Sequence, residues 1–317
     1  MKKSLIPILS LLFIISLDSC KKDSDKQPED TTRVVKVSNY YTGSNGDEYD
    51  ATILEYDKSG RVISLKDTSD PSSGFTVSYV GDEIILQQAQ TQPGSNVYSA
   101  RYKLNSNYLP IQRITADGRN DMTATNPSFV LYADTTKFEY DAAGLLVKAT
   151  GAGYDTTWAK YSSTQTYISA SRKVYTISYT NNDGKLMAVN INEAETYRTM
   201  QVGSNNSSSS SAYNNEEIYS FEYTKNYANK VDKINAWLFA ELGLLYKGKI
   251  PMIKYANLPD KMSRIRKTTH VASGSTNTII DEPRTTEVQY LPSGYISSIT
   301  YTDKYDVDKY NFTYNNQ

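Results

Sequence analysis

From about residue 33 onward the chain alternates apolar and polar positions with a period of two, the signature of β-strands with one face turned to a core. The alternation is broken at regular places by Asp, Asn, Gly and Pro. In "FEYDAAGLLVKAT", residues 138–150, the run Phe138-Glu139-Tyr140 meets Asp141 to Gly144, and a second apolar run follows. Near-copies occur at 54–67 ("LEYDKSGRVISLKD") and 288–301 ("VQYLPSGYISSITY"). Each copy carries an apolar or small residue, then any residue, then Tyr. The tyrosines are Tyr56, Tyr79, Tyr102, Tyr140, Tyr179, Tyr223, Tyr290 and Tyr314. Strand, polar turn, strand is a β-hairpin, and hairpins chained in succession make an antiparallel meander. The pattern predicts an all-β protein of about 12–16 strands, a large antiparallel meander closing into a barrel or rolled sheet.

Two stretches interrupt the meander. "GSNNSSSSSAYNNEE" (203–217) reads as a flexible loop by composition. "VDKINAWLFAELGLLYKGK" (231–249) has helical periodicity, with Ile234, Trp237, Leu238, Leu242 and Leu245 on one face. It predicts a helical insert near 233–247, either capping an open end of the sheet or packed on its surface.

Before residue 33 the pattern differs. Lys2 and Lys3 precede an apolar run at 5–17, too short and wrongly flanked for a membrane span, which is how a signal peptide is written. It ends in Leu17-Asp18-Ser19-Cys20, and Cys20 is the only cysteine. This resembles a bacterial lipobox, although Asp18 departs from the usual small or aliphatic residue. The resemblance implies cleavage before Cys20 and lipid attachment at its thiol. The predicted organisation is a lipoprotein signal over 1–19, a disordered tether over 20–32 and a single β-barrel-like domain over 33–317. The charged run "KKDSD" after Cys20 is similar to the signal that sends Bacteroidetes lipoproteins to the outer face of the outer membrane.

Over most of the mature chain, the "FEYT" and "FEYD" hairpins and the late insert followed by Asn257-Leu258-Pro259 resemble a family of Bacteroidetes lipoproteins known only as a domain of unknown function with a porin-like fold. The resemblance implies a large antiparallel barrel and no known activity. A weaker one is to the YD repeats of Rhs-type shells, at Tyr56-Asp57 with Gly60 and Tyr140-Asp141 with Gly144; the other tyrosines lack the Asp.

Charge and composition narrow the function. Lys+Arg is 34 and Asp+Glu 35, so no net field favours nucleic acid. The mean hydropathy is −0.56, and Thr, Ser, Lys and Glu stand opposite the aromatics in "TKFEYD" and "YTISYT". A lipid-facing apolar band is not written there, so a water-exposed, lipid-tethered barrel is expected, a channel-lining polar face being the alternative. The 28 tyrosines suggest rings packed on the sheet with wet hydroxyls, some of them available to stack on sugars.

Candidate chemistry is sparse. His270 is the only histidine, so no triad or metal site can draw on a second imidazole. Glu55 with Asp57, and Glu139 with Asp141, share a strand face, but the Asp of each opens a turn, where a carboxylate is solvated and poorly suited to act as an acid. Asp303, Asp306 and Asp308 could offer oxygens to Ca²⁺ but lack the Gly and Glu of a dedicated loop. Asp-Thr-Thr at 30–32, 134–136 and 155–157 is similar to the O-glycosylation acceptor of Bacteroidetes. The sequence therefore predicts no catalytic, cofactor or metal residues and lipid attachment at Cys20 as its one site. The function expected is an outer-membrane lipoprotein, exposed at the cell surface or alternatively on the periplasmic face, contacting the membrane only through its lipid anchor and binding a glycan, peptide or envelope protein without catalysis. The alternatives are a structural or assembly component of the envelope and a glycan-active enzyme using a carboxylate pair.

Overall fold

The computed structural model describes residues 32–41, 48, 50–69, 74–88, 97–107, 109–121, 127–162, 165–203, 207–228 and 257–315. Cys20, nearly all of the tether and the helical insert expected near 233–247 lie outside the described residues.

Short strands come first: β1 (Val34–Tyr41), β2 (Asp50–Tyr56), β3 (Val62–Asp67), β4 (Phe75–Val80), β5 (Glu83–Gln88) and β6 (Val97–Leu104). Longer ones follow: β7 (Pro110–Asp121), β8 (Ser128–Tyr140), β9 (Leu146–Ser162), β10 (Gln165–Asn182), β11 (Lys185–Gly203) and β12 (Ser207–Glu222). A small pair, β13 (Tyr227–Ala228) with β14 (Asn257–Leu258), precedes β15 (Lys261–His270), β16 (Thr276–Tyr290), β17 (Ile296–Thr302) and β18 (Val307–Tyr314). Sixteen of these strands form one closed antiparallel barrel in near-sequential order, sealed where β1 pairs with β18, Val37 opposite Phe312. The barrel expected from the hairpin pattern is therefore closed, with no free sheet edge.

The Asp/Asn/Gly turns of the hairpin repeat and both chain ends of the barrel lie at one end. There Gly60, Gly144, Gly184 and Gly294 adopt positive φ, which L side chains tolerate poorly, so Gly is what lets these hairpins reverse tightly. Inward residues at this end form one hydrophobic cluster, including Leu65, Leu86, Leu186, Val189, Ile296 and Ile299, each 0–2 % exposed. This end is packed.

Among the repeat tyrosines all but Tyr290 pack into or against that cluster, and five of those packed have hydroxyls bonded to backbone rather than wet. Tyr79 Oη donates to Val62 O at 2.9 Å, Tyr140 to Pro110 O at 2.7 Å, Tyr223 to Leu186 O at 2.8 Å and Tyr314 to Ile296 O at 2.8 Å. Tyr56 does the same to Val34 O. In each case the tyrosine ending one strand caps a carbonyl at the start of the preceding strand. A buried phenol must find an acceptor, and strand starts near the turns offer free carbonyls. This bond explains why the repeat keeps Tyr where Phe would pack as well.

The outward face at the packed end carries cross-strand ion pairs: Glu55 with Lys66, Glu83 with Arg101, Glu139 with Lys148 at 3.6 Å, and Glu222 with Lys261 at 2.9 Å. Glu216 and Lys267 add another at 3.1 Å. In a bilayer each Lys or Arg here would cost about 2–4 kcal/mol at mid-depth; in water such exposed pairs are nearly neutral in energy.

One expectation fails outright. The Ser/Asn stretch at 203–217 is mostly strand, with Ser207–Ser211 paired to Gln201–Tyr197 in β11. Composition misled because this part of the wall rises beyond the core. With both faces wet, apolar alternation is not required, and the hydrogen-bond ladder alone holds the register.

Candidate functional site: the polar mouth of the barrel

Above the packed cluster the inward positions become polar on the same strands. Along β10 they run from Tyr179 and Ile177 at the core to Tyr175, Lys173 and Ser171. Pairing sets Tyr175 beside Gly151 and Lys173 beside Gly153 on β9. A Cβ at 151 would lie 2.2 Å from the Tyr175 ring, and one at 153 would lie 2.7 Å from Lys173 Cε. The two glycines exist so that these long side chains can lie flat on the wall. Tyr175 Oη donates to buried Asp134 Oδ1 at 2.7 Å, which also accepts from Thr136 Oγ1 at 2.9 Å. Burial and the neighbouring carboxylate hold the Tyr175 phenol far above its ordinary pKa. Lys173 stays charged: burial works against its proton, but Tyr132, Glu193 and Asp134 outweigh it.

Across the lumen, guanidinium and carboxylate groups alternate. Arg264 bridges Glu217 at 3.0 Å and Asp281 at 3.6 Å, and Arg266 meets Asp281 at 2.6 Å. Arg284 lies between Asp303 at 3.3 Å and Asp308 at 3.4 Å. Two of the three carboxylates considered for Ca²⁺ therefore neutralise an arginine. Asp303 also accepts the N–H groups of Tyr305 and Asp306, both at 2.9 Å, which lowers its pKa together with Arg284. No group of three or more His, Cys, Asp and Glu side chains suited to a metal occurs among the described residues.

The remaining sequence candidates fall apart as sites. Glu139 faces outward to Lys148, and Asp141 accepts Leu145 N at 2.8 Å in its turn. Asp57 likewise holds Ser59 N, Arg61 N and the Arg61 guanidinium, whose bonds outweigh a small burial effect and lower its pKa. His270 ends β15, bonded to Ser273 in the turn and edge-on to Tyr213 at 5.1 Å. The Asp134 of one Asp-Thr-Thr is buried and committed to Tyr175, as above.

A site that no motif announced lies where the short strands end. A cavity of about 320 Å³ sits on the core residues Val37 and Leu65 and opens between Asn39, Asp50, Thr52, Asp67, Gln88 and Tyr310. Pairing of β1 with β2 and of β2 with β3 brings these together, Asn39 opposite Asp50 and Thr52 opposite Asp67. Asp50 and Asp67 are hydrogen-bonded to each other; burial first, and then Asp67, raise the pKa of Asp50. Ser69 Oγ donates to Asp67 Oδ1 at 2.7 Å and reaches Asp50 Oδ1 at 3.4 Å. Asn39 Oδ1 is buried and meets no donor among the described residues. Phe75, edge-on to Tyr98 at 5.7 Å, and Tyr310 supply aromatic surface. Apolar below and rich in acceptors above, the cavity is shaped for a partner that brings hydroxyl donors and C–H faces.

The described residues define a closed sixteen-stranded antiparallel barrel with one packed end and one end whose inward side chains are polar. No family model and no curated protein matches this chain. Among solved structures it is similar to a porin-like protein from Bacteroides vulgatus ATCC 8482, at 13% identity and a TM-score of 0.43, over 90% of this chain and 99% of that one. It is also similar to a porin-like protein from Bacteroides uniformis ATCC 8492, at 12% identity and a TM-score of 0.44, over 89% of this chain and 97% of that one.

Proposed function

We propose that this chain is an outer-membrane lipoprotein, attached through Cys20 and exposed at the cell surface, whose barrel mouth binds a glycan. The observation that carries the binding site is the orphan acceptor Asn39 Oδ1 beside the Asp50–Asp67 pair, over an apolar floor. A buried acceptor without a donor costs about 1–3 kcal/mol, and a ligand hydroxyl removes that cost. Sugars supply such hydroxyls on one edge and C–H faces for Phe75 and Tyr310 on the other.

Binding fits the site better than glycoside hydrolysis. Hydrolases hold their two carboxyls about 5 Å or more apart, around the bond to be cut. Asp50 and Asp67 touch each other and leave no such gap. Conduction fits poorly too, because the hydrophobic cluster fills the packed end.

Glycan arrays followed by calorimetry test the reading. The mature chain is expected to bind a defined glycan, and Asn39→Ala or Asp50→Ala to weaken it at least tenfold without changing the thermal midpoint by more than a few degrees. Absence of any glycan ligand, or turnover of one, would sink it. The anchor is tested separately: metabolic labelling with a palmitate analogue is expected on the wild type and lost on Cys20→Ser.

A further inference from the structure

The outward face of β7 to β11 changes character away from the packed end. The inward face is fixed by buried Asp134, Gly153, Ile177 and Ile191, so the alternate positions face out. Near the turns those outward positions hold charges such as Glu139 and Lys148. Further up they are apolar and exposed: Ile114 43 %, Tyr154 47 %, Val174 48 % and Met200 45 %. Pairing places Phe129 beside Trp158 and Trp158 beside Ile168, extending the same patch across three strands.

Charge on this wall is segregated by face. Asp117, Asp134, Asp155, Glu193 and Glu195 all point inward by register. Beyond Glu139, the outward positions of β7 to β11 hold no carboxylate among the described residues. They do hold Lys160, Arg172 and Arg198, all exposed and none in an ion pair among the described residues. Arg172 lies opposite Tyr154 and Lys160 is two residues from Trp158. Apolar and aromatic groups rimmed by free cations are the composition of a membrane interface.

We propose that this face docks on an anionic lipid surface, with Trp158, Tyr154 and Phe129 at headgroup depth and the three cations on lipid phosphates. Two facts favour that occupant. A second copy packed by a two-fold axis would set these unpaired cations against one another. A spanning belt would have to close around the barrel, but the outward charge pairs on β2 with β3 and on β5 with β6 interrupt it. The contact is lateral and partial, and it is independent of both the glycan reading and the Cys20 anchor.

The test uses the full chain with Trp237→Phe, which leaves Trp158 as the only tryptophan of the two. Vesicles of phosphatidylcholine, with or without phosphatidylglycerol, carry brominated acyl chains that quench nearby indoles. Quenching of Trp158 is expected in the anionic vesicles and much less in neutral ones. Arg172→Gln and Arg198→Gln are each expected to lower the docked-to-free ratio about fivefold. The readout reports on Trp158 itself, however the N-terminal segment holds the chain. Unquenched Trp158 in both vesicles, or equal quenching in both, would overturn the proposal. So would a concentration-dependent blue shift without lipid together with cross-linked dimers, or a shift produced only by an added acidic protein.

Discussion

The two ends of the barrel use the same strands in opposite ways. At the packed end, β10 turns Ile177 and Tyr179 inward and Ser178 and Thr180 outward. Nearer its other end it turns Lys173 and Ser171 inward and Val174, Ala170 and Ile168 outward. Period-two alternation persists throughout, but its polarity inverts about halfway along. The packed end is dry within and charged without. The other end is wet within and, on β7 to β11, greasy without. Stability resides in one half and recognition in the other.

Mutations can break this contrast. The largest expected effect is in the packed cluster: Ile299→Ala, at a site with no exposure, should cost about 2–5 kcal/mol in urea unfolding. Gly151→Ala comes next. Its Cβ would displace the Tyr175 ring and strand Asp134, costing about 1–3 kcal/mol, seen as a drop in thermal midpoint. Pairing it with Tyr175→Ala should recover part of the loss, because the clash is then gone.

A smaller effect separates the ends by pH. Burial pushes the Tyr79 phenol up to about 12, and that of Tyr223 likewise, above the ordinary value near 10. A raised pKa means the folded state holds the proton more tightly. The stabilisation is therefore complete below pH 10 and is lost as pH rises from about 10 to 12. Alkaline titration should unfold the packed end in that window, and Tyr79→Phe should move its onset upward. The same substitution should cost about 0.5–1.5 kcal/mol at neutral pH through the lost bond to Val62 O.

At the mouth the sign reverses for function. Asp50 also has a raised pKa, so its contribution to stability is complete below about pH 4 and is lost as pH rises above that. Asp50→Asn should be neutral or slightly stabilising in the free protein while weakening glycan binding. The smallest expected change is Glu139→Gln, within about 0.5 kcal/mol by thermal unfolding, since its pair with Lys148 is exposed.

Much of the packed end was legible from residues alone. Phe138-Glu139-Tyr140 announced inward, outward, inward; Asp141 announced the turn, and Gly144 its positive φ. These signals are local, set by sterics and by bonds within five residues. The tyrosine hydroxyls were misjudged as wet because their acceptors, such as Pro110 for Tyr140, lie a whole strand away. The Ser-rich part of β12 was misjudged because a strand wet on both faces has no compositional mark.

The alternation, the turns and the Tyr spacing, written in neighbouring residues, were enough to determine an antiparallel meander of hairpins. Closure was not written locally. It depends on β1 finding β18 across nearly the whole chain, where loop-closure entropy opposes a pairing that no local signal reports. Nor could sequence place Asp50 against Asp67, or turn Trp158 outward and Asp155 inward, since a one-residue slip of register would exchange every such face. Those choices were made by the burial of the packed cluster, which locks the register of every strand and thereby decides what the open end presents.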